Sequence, residues 1–167
     1  MLYGKENGFR DFDDMLPEEF RHSLAGRQEK LAGIPLIPYG MAIEEIIRLA
    51  GEGYPIFKIK IGSDPEKDRD PRKMLEWDKK RLAEIHRAVG EHSTPHTVNG
   101  KIAYYLDANG RYDSKDQIME VLDYADRIGA LGRIILLEEP FAQDNPADVS
   151  DIPVRVAADE SAHSDKD

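Results

Sequence analysis

The stretch YPIFKIKIGS, residues 54–63, sets Phe57, Ile59 and Ile61 in alternation with Lys58 and Lys60. A period of two is that of a strand, and it places both lysines on one face ~7 Å apart, where like charges repel. One reading is that they face water, as lysines do on edge strands that discourage foreign pairing. The other is that something anionic on the same face needs them, and the rest of the chain has to decide.

Outward from this strand, one kind of unit repeats: a short apolar strand, then an amphipathic helix. Upstream, IPLIPYG (34–40) is a first strand despite its two prolines, and Ile43, Ile46, Ile47 and Ala50 then follow at helical spacing. Downstream, the charged loop SDPEKDRDPR (63–72) leads to a helix over 73–90, with Leu75, Leu82, Ile85 and Val89 on one stripe and Gly90 ending it. A polar insertion, EHSTPHTVNGK (91–101), carries an Asn99-Gly100 turn signal before the third strand, IAYYLDANG (102–110). Ser114 and Gln117 form a capping-box pattern ahead of Ile118, Val121, Leu122, Ala125 and Ile128. RIILLEEP (133–140) is the fourth strand, and after a link too short for a full helix comes the fifth, VRVAADES (154–161). Residues 1–33 precede this series as a lead-in segment with a helix from Pro17; residues 34–167 form the repeating part.

Alternating β and α units with strands this apolar indicate a parallel sheet under helices, either doubly wound or a (β/α) barrel. No Gly-rich phosphate loop follows any strand, so the barrel is favoured over a Rossmann or P-loop arrangement. The chain has no cysteine, which excludes disulfides, thiolate chemistry and zinc ribbons. A formal net charge of −10 makes broad contact with nucleic acid or anionic lipid repulsive. With no apolar run of membrane-spanning length and no secretory leader pattern, a cytoplasmic location is the default expectation.

The strands share a feature at their C-terminal ends, where barrel enzymes place their active sites. In order they deliver Lys58 and Lys60, then Asp107, then Glu138 with Glu139, then Asp159 with Glu160. One acid after a strand is ordinary turn or cap chemistry. Three converging carboxylates repel unless a cation lies between them, and all-oxygen ligation suits Mg²⁺.

These motifs, FKIKIG, LDANG, LLEEP and AADES in this order, together resemble the enolase superfamily in its mandelate racemase and muconate lactonizing enzyme branch, from about Gly26 onward. The resemblance implies the first five strands of a TIM-like (β/α) barrel. It implies abstraction of the proton next to the carboxylate of a small substrate, through an enediolate, as in racemases, epimerases, sugar-acid dehydratases and cycloisomerases. It assigns Asp107, Glu138 and Asp159 to Mg²⁺, Lys60 as the base, and Lys58 as the neighbouring charge that disfavours the protonated form of Lys60 and helps hold the anion. Glu139 falls to a supporting role. Glu160 is a substrate-binding candidate, and one branch of the family aligns the ligand with its position; Asn109 either contacts substrate or serves an ordinary turn. His92 and His96 belong to a polar loop broken by Pro95, His163 to the surface and Trp77 to packing.

The resemblance also implies eight strands and a complete capping domain, with a second acid/base on the sixth or seventh strand, whereas five strands are legible here and residues 1–33 would be a remnant of that capping domain or a linker. The expectation is therefore a piece of such an enzyme, inactive alone, that works as a homo-oligomer or with a complementary barrel half. The competing expectation is a non-catalytic half-barrel that serves as an assembly or interaction module, motivated by open sheet edges.

Overall fold

The computed structural model describes residues 6–9 and 30–162. The chain divides into two compact units, Met1–Leu31 and Ala32–Asp167. In the first, residues 6–9 form a short turn with Gly8 at φ +75°. The helix expected from Pro17 and the surface placement expected for His163 lie outside the described residues.

The second unit follows the expected alternation: β1 (Leu36–Ile37), α1 (Ile43–Gly51), β2 (Ile56–Lys60), α2 (Pro71–Val89), β3 (Ala103–Asp107), α3 (Lys115–Arg127), a 3₁₀ turn (Leu131–Arg133), β4 (Ile134–Glu138) and β5 (Val156–Ala157). All strands are parallel and lie in sequential order, β1-β2-β3-β4-β5. That order decides between the two architectures. With right-handed crossovers, a sequential parallel sheet keeps its helices on one face, as in a barrel, whereas a doubly wound sheet reverses direction and puts helices on both.

The two faces differ accordingly. Phe57, Ile59, Tyr104, Leu106 and Leu137 are buried against the helices, where Leu75, Leu82, Ile85, Ile118, Val121 and Leu122 complete the core. Each large apolar side chain so buried contributes about 1.5–3 kcal/mol. Lys58, Lys60, Tyr105 and Leu136 occupy the opposite, inner face and are only half-buried. Because β2 lies between β1 and β3, its lysines are not edge-strand guards.

Helix α2 begins two residues earlier than its apolar stripe suggests. Asp70 caps it by accepting from the Arg72 and Lys73 amides, and Pro71 fills the first position, where a missing N–H costs nothing. In the α3 capping box, Gln117 Oε1 reaches back to the amides of Asp113 and Ser114 at 2.8 and 3.3 Å. The Asn99-Gly100 turn closes with Gly100 at φ +69° and Thr94 N donating to Gly100 O at 2.9 Å. Trp77 packs edge-on against Tyr39, with ring centroids 5.9 Å apart. Among the described residues, no helix is long and apolar enough to cross a membrane.

One irregularity in the sheet has a direct effect on the strand ends. Tyr104 pairs with Ile134 but Tyr105 pairs with Leu136, which leaves Ile135 as an extra residue in β4, 44% exposed. A regular ladder from the same start would set Leu137 opposite Asp107 and turn Glu138 toward the helices. The bulge advances the register by one residue, and Glu138 pairs with Asp107 on the inner face instead.

Candidate active site

Register assembles the charged cluster. Lys60 pairs with Asp107, Asp107 with Glu138, and Glu138 with Ala157, so β2 to β5 end in one row. Lys58 sits one inner-face position below, beside Tyr105. Lys60 Nζ donates to Asp107 Oδ2 at 2.6 Å and also to Asn109 Oδ1. Lys58 Nζ lies 2.9 Å from the same Asp107 oxygen and forms a second ion pair with Glu138 Oε2. The repulsion implicit in the sequence is thus offset by a carboxylate placed between the two ammonium groups.

The electrostatics follow from burial set against these contacts. Asp107 is 1% exposed, and desolvation favours its neutral acid, yet hydrogen bonds from Lys60 and Lys58 hold the carboxyl below its ordinary range. Desolvation likewise opposes the charged form of Lys58, but Glu138 and Asp107 prevail and keep it protonated well above neutrality. The Tyr105 ring lies 4.9 Å from Lys58 Nζ, a cation–π contact, and burial together with the Glu138 carboxylate pushes its hydroxyl up to about 12.

Asn109 and Glu160 join this cluster from the loops. Asn109 lies at φ +46°, a conformation asparagine tolerates well, and its Nδ2 donates to Glu160 Oε1 at 3.0 Å while its Oδ1 accepts from Lys60. Asp159 is brought to the same end of the sheet by its backbone: its N–H donates to Glu139 Oε2 at 2.5 Å, and the residue is exposed. Glu139 is 4% exposed at φ +43° and also accepts from Ser161 Oγ at 3.1 Å. Burial raises its carboxyl, but the Asp159 and Ser161 donors hold it below the usual range, so Glu139 ties down the turn after β5.

Asp107, Glu138 and Asp159 therefore end adjacent strands. Among the described residues, however, no three acids or histidines gather around a common point. The donor set nonetheless suits a hard cation. Glu138 Oε2 is buried and makes no hydrogen bond of good geometry, and the groups that face it and Asp107 are the cationic ends of the two lysines. His92 and His96 stay in the loop between α2 and β3. A cavity of about 340 Å³ opens nearby between Gly62, Arg69, Gly110 and Arg111, but none of Lys58, Lys60, Asp107, Asn109, Glu138 and Glu160 lines it.

Three residues escaped the sequence reading: Tyr105, against Lys58, and the buried pair Tyr112 and Asp78 beneath the strand ends, where the Tyr112 hydroxyl donates to the Asp78 carboxylate at 2.7 Å. Only Asp78 left a signal there, as a carboxylate on the apolar stripe of α2 between Leu75 and Leu82.

Residues 42–167 match the enolase C-terminal domain-like family. No curated protein sequence matches the chain. Among solved structures, muconate lactonizing enzyme from Klebsiella pneumoniae is similar at TM-score 0.54 and 19% identity, over 78% of this chain and 32% of its own length. A mandelate racemase/muconate lactonizing enzyme from Roseiflexus sp. is similar at 0.51 and 22%, over 78% and 34%. The N-succinyl Arg/Lys racemase of Bacillus cereus ATCC 14579 gives 0.51 and 20%, over 80% and 32%. At these identities the likeness is one of fold, and the chain spans about a third of each neighbour's length. Strand order, helix placement and the match over residues 42–167 agree: the chain belongs to the enolase C-terminal domain-like family.

Proposed function

We propose that this chain carries the metal-binding strand ends and one base of an enzyme that removes the proton α to a substrate carboxylate. The observation that carries the reading is the in-register row Lys60–Asp107–Glu138, with Lys58 and Lys60 sharing one Asp107 oxygen. Two lysines and two acids on one sheet face are more than a packed core needs, since buried ion pairs are seldom retained for stability alone.

In this reading Asp107, Glu138 and Asp159 hold Mg²⁺, which when bound supplies electrostatic stabilisation of the charge that develops on the substrate carboxylate. Were those acids engaged by the metal, Lys60 Nζ would be freed from Asp107 and, as the neutral amine and nearer the mouth than Lys58, would take the α-proton. Lys58 stays beside the anion. Asn109, already bonded to Lys60 and Glu160, orients the base. In this reading the full reaction, whether racemisation, epimerisation, dehydration or cycloisomerisation, draws on further barrel strands, and the expected outcome is that the chain by itself shows no turnover; it spans about a third of its structural neighbours.

The test is exchange of the α-proton into D₂O, followed by NMR, with the chain supplemented by the remaining strands of a related barrel and offered chiral carboxylates, beginning with N-succinylarginine. Exchange that requires Mg²⁺ and disappears in Lys60→Ala supports the reading; undiminished exchange in Lys60→Ala refutes the base assignment.

A second reading, a non-catalytic assembly module, draws on β1 and β5 as edges of the described sheet and on Leu36 and Ile135, 47% and 44% exposed. Native mass measurement separates the two: a stable self-assembled species that ignores Mg²⁺ and carboxylates favours the module.

A further inference from the structure

Asp78 is a carboxylate in the middle of α2, 1% exposed, on the side of the helix that faces the core. Burying an acid there is costly unless donors surround it, and its donors all come from outside its own helix. Gly62 N donates to Oδ2 at 2.9 Å, Ser63 N to Oδ1 at 3.3 Å and Tyr112 Oη to Oδ2 at 2.7 Å. Gly62 and Ser63 follow β2, and Tyr112 follows β3.

These bonds belong to a longer belt. Tyr39, after β1, donates its hydroxyl to Ile61 O at 2.8 Å, and Tyr112 N donates to Pro140 O, after β4, at 3.2 Å. The connections that leave four successive strands, β1 to β4, are joined in this way, with Asp78 as the carboxylate at the centre. Each connection except the first begins within five residues of a clustered side chain: Lys60 before Gly62, Asp107 and Asn109 before Tyr112, Glu138 before Pro140. The belt is also tight. Gly62 lies at φ +80°, and a Cβ there would come within 2.4 Å of Arg111 Cβ.

We propose that Asp78 is a positioning residue of the candidate site, which clasps the connections after β2 and β3 so that Lys60 meets Asp107 and Asn109. The inference rests on the reading that these three residues do the work of the site. Its test needs neither metal nor substrate, so its failure is separable from failure of the proposed reaction.

Asp78→Asn replaces an acceptor-only group with an amide whose NH₂ opposes the converging donors, and Tyr112→Phe deletes a single donor. Both are compared with the parent chain by NMR of ¹³C-labelled lysine side chains, assigned with Lys58→Arg and Lys60→Arg, together with amide hydrogen exchange. The expected result is displaced Lys60 side-chain resonances and about tenfold faster exchange at Gly62 and Ser63, with Ile59 and Leu106 amides still protected. Lys60 resonances that superimpose on the parent's in the folded variants overturn the proposal, as does displacement accompanied by general loss of strand protection. Should Asp78→Asn fail to fold, Tyr112→Phe decides by the same criteria.

Discussion

Asp107→Asn tests the cluster with and without metal. Lys58, Lys60, Asp107 and Glu138 carry two positive and two negative charges, and Asp107 contacts both ammonium groups. Replacing it by a neutral amide leaves two cations facing one carboxylate. Breaking a buried ion pair costs about 3–5 kcal/mol, and the lysine side chains, 20–26% exposed, recover part of that from water. A loss of about 2 kcal/mol in urea denaturation is expected without metal.

Mg²⁺ adds a second, independent readout. The cation must displace two ammonium groups, so a weak site with a dissociation constant of about 1 mM is the reasonable expectation. At about 10 mM Mg²⁺, mass action then stabilises the parent by RT ln 11, about 1.4 kcal/mol. For a domain of this size that raises Tm by about 4 °C. The assay is a thermal melt with Mg²⁺ against an NaCl control of equal ionic strength. Asp107→Asn should lose the increment entirely; an unchanged increment in the variant, or an equal one in NaCl, refutes the assignment of Asp107 as a ligand.

Lys58→Ala leaves Glu138, 8% exposed, without its cation and should cost about 2 kcal/mol in urea, yet it removes a competitor for the metal, so its Mg²⁺ response should exceed the parent's. An equal or smaller response would show that Lys58 does not occupy the cation position. Deletion of Ile135, the bulge residue, should straighten β4 while keeping Glu138 opposite Asp107, because Ile134 and Leu136 already pair with consecutive residues of β3. A melting temperature within a few degrees of the parent and an intact Mg²⁺ response are expected; loss of the response means that the bulge itself aims Glu138.

The course of the chain was legible because its strands are short apolar runs ended by glycine, proline or acid, and because α2 and α3 keep clean helical stripes. The choice of barrel over doubly wound sheet was less secure, since it depended on a missing phosphate loop, and sequential strand pairing supplies the positive reason. The row Lys60–Asp107–Glu138 was legible as residues but not as register. Strict alternation in RIILLEEP puts Ile134, Leu136 and Glu138 on one face, whereas Ile134 pairs with Tyr104 on the helix side and only the bulge returns Glu138 to the inner face. Ion pairing of both lysines through one oxygen was also out of reach, because alternation gives the side of a strand and not the reach of a side chain. Asp78 could have been flagged as an acid on an apolar stripe, but its partners, 15 to 34 positions away, depend on loop conformation that spacing does not encode.

Asp78 and Asp107 are each 1% exposed, and burial alone would raise both carboxyls alike. Their partners separate them. Two ammonium groups overcome desolvation at Asp107 and lower it, whereas at Asp78 desolvation outweighs the Tyr112 hydroxyl and the Gly62 and Ser63 amides and pushes it up to about 6 from the ordinary 3.8. The groups facing Asp78 from other elements, Tyr112 and at longer range Tyr39, are uncharged phenols near neutrality, raised chiefly by their own burial and further by its charge. The consequences for stability have opposite signs. Asp107 contributes stability that is present above its unfolded value and lost as pH falls through its lowered folded value. Asp78 binds its proton more readily folded than unfolded, so its contribution is fully present below 3.8 and lost as pH rises through about 6. A rise of about two units corresponds to about 3 kcal/mol. The stability of the parent relative to Asp78→Asn should therefore be about 2 kcal/mol greater at pH 4 than at pH 7, part of the full effect being already lost at pH 4, while its stability relative to Asp107→Asn should shrink only below pH 4. Carboxyl ¹³C titration provides the site-resolved check, with Asp78 expected to take its proton first and Asp107 last; the reverse order would mean that the lysines do not hold Asp107 and that the belt's carboxylate is stabilised by a charge other than its three donors.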